Sequence, residues 1–317
     1  MKKSIKNKFS TYIRNLQEDI CENLEIIDTV GQFWPDNWER EEGGGGLSRI
    51  LEQGDIFEKA GVNISTVFGE LPTPIQQRFE VNERWFWAGG LSLVIHPYSP
   101  MIPTVHANFR YFELYESSQM ESPCDSWFGG GIDLTPYYLW DEDAIHFHQV
   151  LKASCEEHGK ELYPRFKRNC DDYFYNEHRS EARGIGGLFF DYLRPTDQRS
   201  VEDWYAFTTG VGNAFLESYV PIVERRMDEP YSTKHRYFQE IRRGRYAEFN
   251  LIHDRGTLFG LKTNGRTESI LMSLPPRVRW DYNFAPEKGS REAYLIERLS
   301  NPVDWVKYNK NMSIKCE

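Results

Sequence analysis

The segment HPYSPMIPTVHANFRYFE, residues 96–113, sets two imidazoles ten positions apart with three prolines between them, then an asparagine and an arginine. Imidazole ordinarily titrates near about pH 6.5 and is a common metal donor, so the segment suits a proton-transfer site, a metal site or a buried strand pair with polar edges. A second segment, WFGGGIDLTPYY at residues 127–138, runs three glycines into a strand-like pattern in which Asp133 points away from Ile132 and Leu134. A carboxylate is unfavourable in a strand and needs compensation, from solvent or from the N–H groups of a ligand. His148 lies nearer the apolar stripe of Ala144, Phe147, Leu151 and Cys155 than His146 does, and His178 follows Phe166, Cys170 and Phe174 at four-residue steps. A hydrogen-bonded core position is the plain reading of each histidine. A site shared by His96, His106, His148 and His178 is the sharper one.

Elements must position these residues. Pro97, Pro100 and Pro103 cannot all donate to a ladder, so residues 97–104 are expected to connect two antiparallel strands. A reversal centred near Met101 would set His96 opposite His106, Val94 opposite Asn108, and Ser92 opposite Arg110. Whatever the register, alternation puts Leu91, Leu93 and Ile95 on one face with Ala107, Phe109 and Tyr111. The other face gathers Ser92, His96, His106, Asn108 and Arg110, which reads either as a site wall or as the solvated side of an ordinary sheet. Ile13, Leu16, Ile20, Leu24 and Ile27 predict an amphipathic helix over about residues 8–28, packed on the body. Helical periodicity also covers residues 141–158, 164–181 and 201–226, while 87–111, LFFDYL and GRYAEFNLI read as strands. The four glycines at 43–46 mark a close backbone approach in preference to a linker, because their flanks are aromatic. Strands come in clusters and nothing divides the chain, so one α+β domain over residues 1–317, with mainly antiparallel strands, is expected.

A formal charge of −10 argues against non-specific nucleic-acid binding. Arginine is nevertheless dense in KHRYFQEIRRGRY, residues 234–246, and recurs at 255, 266, 277 and 279. Such a distribution fits reading of carboxylates or phosphates, and equally salt bridges at the surface or a dimer interface. The five cysteines are scattered without a zinc or redox pairing, no run reaches membrane-spanning length, and the basic start lacks the apolar core of a signal peptide. A reducing, cytoplasmic setting with no membrane span is the expectation. No HExxH, GxSxG, Walker or dinucleotide pattern supports the chemistries they carry.

Taken together, GGGGLSRILEQGDIFEKAGVN, HPYSPMIPTVHANFR, WFGGGIDLTPYY, HRSEARGIGGLFFDYL and GRYAEFNLIHDRGTLFGLKTNGRTESILMSLPPRVRW closely resemble the oxygen-dependent coproporphyrinogen III oxidases of haem biosynthesis. The resemblance implies oxidative decarboxylation of the ring A and B propionates of coproporphyrinogen III to vinyl groups, giving protoporphyrinogen IX with O2 as acceptor. It also implies a large antiparallel sheet sandwiched between layers of helices, and a homodimer with its interface at about residues 246–281. Ser92, Asn108, Phe109, Arg110, Asn264, Gly265 and Arg266 match the family's substrate-binding positions. His106 matches the proton donor, and Asp133 the carboxylate that engages pyrrole nitrogens. His96, His106, His148 and His178 match positions assigned to a divalent metal in bacterial members, manganese being a candidate, although other members work without metal or organic cofactor. Two departures stand out: Tyr192 where relatives often carry Asp, and His253 where Tyr is common. The competing readings are a metal-dependent oxidase using the four histidines and a non-catalytic tetrapyrrole-binding protein.

Overall fold

Alternating side chains and turn-forming residues build a seven-stranded antiparallel sheet in the computed structural model of the chain, which describes residues 4–71, 76, 85–262 and 265–308. After helix α1 (Ile5–Asp28) come β1 (Trp34–Glu39), β2 (Gly44–Glu52), β3 (Phe57–Glu70), β4 (Trp85–Pro97), β5 (Thr104–Tyr115) and β6 (Asp125–Thr135), each paired with the next. The chain then leaves the sheet for α2 (Asp141–Glu156) and α3 (Leu162–Tyr173). The small hairpin β7 (Tyr175–Asn176) and β8 (Glu181–Ala182) follows, and β9 (Gly187–Leu193) returns beside β6. Helices α4 (Val201–Arg226) and α5 (Thr233–Glu248), a π-helical turn (Phe249–His253), α6 (Arg255–Lys262), α7 (Thr267–Leu271) and α8 (Arg291–Ser300) complete the described chain.

The two faces of the sheet have different covers. Leu91, Leu93, Ile95, Ala107 and Phe109 are fully buried in one core with the stripe of α1 (Phe9, Ile13, Leu16, Ile20, Leu24) and with Phe207, Val211 and Phe215 of α4. Serine caps start the later helices: Ser200 and Asp203 form a capping box at α4, and Ser232 with His235 does so at α5. The opposite face, polar by sequence, is covered by the end of α5, the π-helical turn and the α7 segment. Ser269 takes a hydrogen bond from Asn63, and Met272 lies over Gly61.

The predicted parity holds, but the register is displaced by two residues. Val94 faces His106, Ser92 faces Asn108 and Gly90 faces Arg110, so the reversal is centred on Pro100. The β4–β5 ladder stops at the Ile95–Val105 pair; His96 instead pairs with Lys59 of β3, and Tyr98 donates its N–H to Ile56. A shift of two keeps every side chain on its face. Residues 244–252, read as a strand, are the end of α5 and the π-helical turn. That helix is buried nearly all round from Phe238 to Glu248, so it has no exposed stripe from which a helical period could be read. The predicted helix over 164–181 ends at Tyr173, where the chain turns back through β7 and β8, so Phe166, Cys170 and Phe174 are buried while His178 lies on a 3-10 turn.

The basic run is internal rather than superficial. Arg243 is fully buried and bonds Glu58 at 2.6 Å, Arg242 holds Glu181 at 2.9 Å, and Arg245 and Arg179 converge on Glu248 at 3.0 and 2.7 Å. Burial raises the Glu58 carboxyl, but Arg243 and Arg236 outweigh it and hold it below the ordinary range. Burial likewise opposes ionisation of Glu248, yet hydrogen bonds from Arg179, His178 and Trp280 hold its pKa at about 2. Groups depressed in the fold contribute stability that is present above their unfolded pKa, about 4.3 for glutamate, and is lost as pH falls toward the folded value. The urea midpoint is therefore expected to fall between about pH 4.3 and 2 as these carboxylates are protonated, on top of an earlier loss that begins below about pH 6.5, where the buried neutral imidazoles of His96 and His148 oppose proton uptake that the unfolded chain permits. A midpoint that stays level down to about pH 2 would contradict these ion pairs.

Candidate active site

The polar face is organised in rows that cross the sheet. One row runs Asp36, Ser48, Asn63, Ser92, Asn108 and Gly131 from β1 to β6, each paired with the next. A neighbouring row carries Gly46, Ser65, Gly90, Arg110 and Gly129. Absence of side chains makes this floor shallow where large groups must lie on it. A Cβ at Gly129 would sit 2.6 Å from Arg110 Nε and 2.7 Å from Asp191 Oδ1. Arg110 therefore lies flat over β6 and donates to Asp191 at 2.9 Å. At the β1 end Arg266 pairs with Asp36 and donates to Ser269 Oγ at 3.2 Å. Two guanidinium groups thus stand at opposite ends of a wall of amides and hydroxyls.

The third row places His106 opposite Asp133. His106 Nδ1 meets Asp133 Oδ1 at 2.8 Å, and the same carboxylate accepts two bonds from Arg183 Nη2, at 2.7 and 2.8 Å. Both members of the Arg183–Asp133 pair are 2% exposed. Burial pushes the Asp133 carboxyl up, but Arg183 and His106 together bring it below the usual range, so it is ionised. Arg183 is also boxed by rings: its guanidinium carbon lies 4.0 Å from the centroid of Phe174, 4.7 Å from Tyr246 and 4.9 Å from Phe249, and Nη1 donates to Asn250 at 2.8 Å. The compensation that a strand carboxylate requires is thus supplied inside the protein, by an arginine that the sequence reading did not single out. Asp133 accepts from His106 Nδ1–H, so in the neutral ring Nε2 is the acceptor nitrogen. Nε2 has no hydrogen-bond partner among the described residues, and the ring is 20% exposed.

The other three histidines do not join His106. His96 Nε2 lies 2.9 Å from the Ser273 carbonyl, so it carries the proton, and Nδ1 accepts from Thr104 Oγ1 at 3.1 Å. His148 has the same arrangement, donating from Nε2 to the Ile185 carbonyl and accepting at Nδ1 from the Tyr163 hydroxyl, both at 3.0 Å. Burial holds both imidazoles neutral, His96 well below its ordinary range and His148 at about 4. His178 contacts Glu248 at 2.8 Å and His253 at 3.0 Å through its two nitrogens. A neutral imidazole binds a metal through its unprotonated nitrogen, and in His96 and His148 that nitrogen is occupied. Among the described residues no three His, Cys, Asp or Glu side chains stand together as ligands of one ion. The four histidines therefore do not fit a shared metal site in this arrangement.

The remaining candidates divide. Ser92 and Asn108 face the wall. Phe109 alternates to the other side and is fully buried in the core, so only its backbone is available to a ligand. Gly265 donates its N–H to Gly260 at 2.8 Å beside Arg266, and Asn264 lies outside the described residues. His253, a departure from the family pattern, reaches His178 in the place where a tyrosine is common; Tyr192 is on the exposed side of β9 with φ 52°. Besides Arg183, sequence reasoning passed over Asn63, whose only signal was its place on the polar side of an alternating segment.

One face of the sheet is thus apolar, and the other aligns an imidazole, a carboxylate and a guanidinium. The coproporphyrinogen III oxidase family model matches residues 8–305, and the chain belongs to that family. Membership makes it an oxidoreductase of haem and porphyrin biosynthesis, with coproporphyrinogen III as the family's substrate. Among the described residues no helix is long and apolar enough to cross a membrane.

The buried pair makes a specific prediction. Asp133→Asn leaves Arg183 as a buried cation without its counter-charge and is expected to destabilise the fold by roughly 3–5 kcal/mol in urea unfolding. Asp133→Asn combined with Arg183→Met removes both charges and is expected to recover most of that loss. Equal destabilisation by the single and double variants would mean that the ion pair is not what the fold relies on.

Proposed function

We propose that the chain catalyses the oxygen-dependent decarboxylation of the ring A and B propionates of coproporphyrinogen III, yielding protoporphyrinogen IX. The observation that carries the reading is His106 Nε2, open on the polar wall while Asp133 and Arg183 fix the ring from behind. For each propionate a β-carbon C–H bond breaks with its electron pair going to O2, and the bond to the carboxylate supplies the pair for the new double bond. CO2 leaves, and one further proton completes hydrogen peroxide. The electrons come from the substrate, so the balance closes with O2 alone as oxidant. His106 is suited to supply the proton, because Asp133 accepts from Nδ1 and so directs Nε2 toward the wall.

Arg110 and Arg266 would receive substrate propionates. Their present partners Asp191 and Asp36 are partly exposed, so exchange of one carboxylate for another costs little. Asp133, closed off by Arg183 and 1% exposed, acts in this reading by positioning His106. No step depends on a metal.

The decisive assay follows vinyl product and oxygen uptake with coproporphyrinogen III, with and without O2. Product formed at the same rate without O2 would sink the oxygen-dependent reading, and binding without oxygen uptake would favour a carrier. His106→Ala is expected to lower kcat by about 100-fold or more while leaving KM within about threefold. Near-normal kcat would remove His106 from the chemistry.

A homodimer joined through about residues 246–281, in the cytoplasm, belongs to the same reading. Leu251, Ile252, Leu261 and Trp280 are exposed along that segment, which supports its use as an interface. Sedimentation velocity at micromolar concentration is expected to give a dimer, and Ile252→Asp to shift it toward monomer; a monomeric unsubstituted protein would overturn this.

A further inference from the structure

We propose that Asn63 is a substrate-recognition residue whose amide oxygen, with that of Asn108, accepts ring N–H groups and selects the reduced tetrapyrrole over its oxidised porphyrin. The inference rests on the tetrapyrrole reading above and adds a residue and a specificity to it. The orientation of the Asn63 amide is fixed by chemistry: the group 3.1 Å from the Ser269 backbone carbonyl must be the donor Nδ2. Oδ1 therefore points the other way, and there it is buried with no hydrogen-bond partner among the described residues. Asn108 Oδ1 is in the same state.

These two oxygens are not scattered. Asn63 pairs with Ser92 and Ser92 with Asn108, so the two orphan acceptors flank one hydroxyl on a single row of the polar wall. Trp38 Nε1, a buried donor also without a partner among the described residues, stands on the same face, its ring over Gly46. Buried polar atoms are rarely left unpaired, and a cluster of them on one face marks groups that a ligand completes. The obvious anionic acceptor, Asp133, is filled by Arg183 and His106.

The ligand that fits is rich in donors. In a porphyrinogen the four pyrrole rings are joined by saturated carbons and each keeps its N–H. In a porphyrin two of the four nitrogens have become acceptors. Two amide oxygens with a hydroxyl between them thus match the first and leave lone pairs facing lone pairs in the second. An oxidase exposed to O2 meets both forms, and only the reduced one carries the electrons that the reaction needs.

The test compares anaerobic binding of coproporphyrinogen III with that of coproporphyrin III, by competition, in the unsubstituted protein, Asn63→Ala and Asn63→Asp. The unsubstituted protein is expected to prefer the reduced form. Asn63→Ala should reduce that preference by about five- to tenfold and raise KM more than it lowers kcat. Asn63→Asp keeps the acceptor but loses the donor to Ser269, and should retain the preference. Loss of preference in Asn63→Asp equal to that in Asn63→Ala would assign Asn63 to clamping the α7 segment and overturn the proposal. So would a preference unchanged in Asn63→Ala, or absent from the unsubstituted protein. The binding ratio decides this inference whereas oxygen-dependent turnover decides the function, so the two fail separately; thermal unfolding of each variant identifies misfolding, and Asn63→Asp carries the test if Asn63→Ala does not fold.

Discussion

The ion pair between Arg183 and Asp133 is the interaction on which the polar half of the molecule depends. Two charges at 2% exposure are unfavourable to bury and persist only with near-complete compensation. Asp133 has three hydrogen bonds, and Arg183 has an amide partner and three aromatic faces. That requirement joins elements far apart in sequence. β6 supplies the acid, the turn before β9 the base, the end of α3 Phe174, α5 Tyr246, and the π-helical turn Phe249 and Asn250. The π-helical turn makes sense in this light: one widened turn presents both Phe249 and Asn250 toward the guanidinium. The same carboxylate accepts from His106 Nδ1, so one side chain both closes the ion pair and orients the imidazole.

Burial also sorts the arginines. Arg183, Arg242 and Arg243 are at most 4% exposed and tied to Asp133, Glu181 and Glu58. Removing either partner of such a pair leaves a stranded charge, so these arginines belong to the scaffold. Arg110 is 40% exposed and Arg266 29%, each facing a partly exposed aspartate. Exposed pairs of this kind contribute about 0–1 kcal/mol, little enough for an incoming carboxylate to take over the guanidinium. An acidic protein can therefore concentrate arginine and still hold only a few of them available to an anion.

Face assignment was legible in the sequence, because alternation is a local property that a two-residue register error leaves intact. Leu91, Leu93 and Ile95 went to the core and Ser92, Asn108 and Arg110 to the wall from parity alone. The inward turn of His148 was legible from helical spacing for the same reason. What failed was whatever depended on distant partners. The strand expected over 244–252 belongs to a helix buried on all sides, where carboxylates from β3 and β8 neutralise arginines that looked superficial. His178 was misplaced because the helix before it ends at Tyr173 to form a hairpin held by tertiary contacts, among them Asn176 Nδ2 to the Arg245 carbonyl. Asp133 advertised its need for a partner, but nothing local named Arg183, which lies fifty residues on.

The four histidines show how environment separates identical side chains. His96 sits in a directed chain in which Arg243 donates to the Tyr137 hydroxyl, Tyr137 to Thr104, Thr104 to Nδ1, and Nε2–H to the Ser273 carbonyl. Protonating Nδ1 would break that chain and place a cation near Arg243, Lys59 and Arg183. His148 is closed in the same way by Tyr163 and Ile185. His106 differs: Asp133 accepts from one nitrogen, and the other has no hydrogen-bond partner among the described residues. In the proposed reaction one proton is delivered for each propionate removed, and of the four imidazoles His106 is the one with a nitrogen that has no hydrogen-bond partner among the described residues. Asn63 and Asn108 on the adjoining row share that incompleteness: the amide oxygen of each is buried without a hydrogen-bond partner among the described residues, which is why the proposed recognition of ring N–H groups is assigned to them.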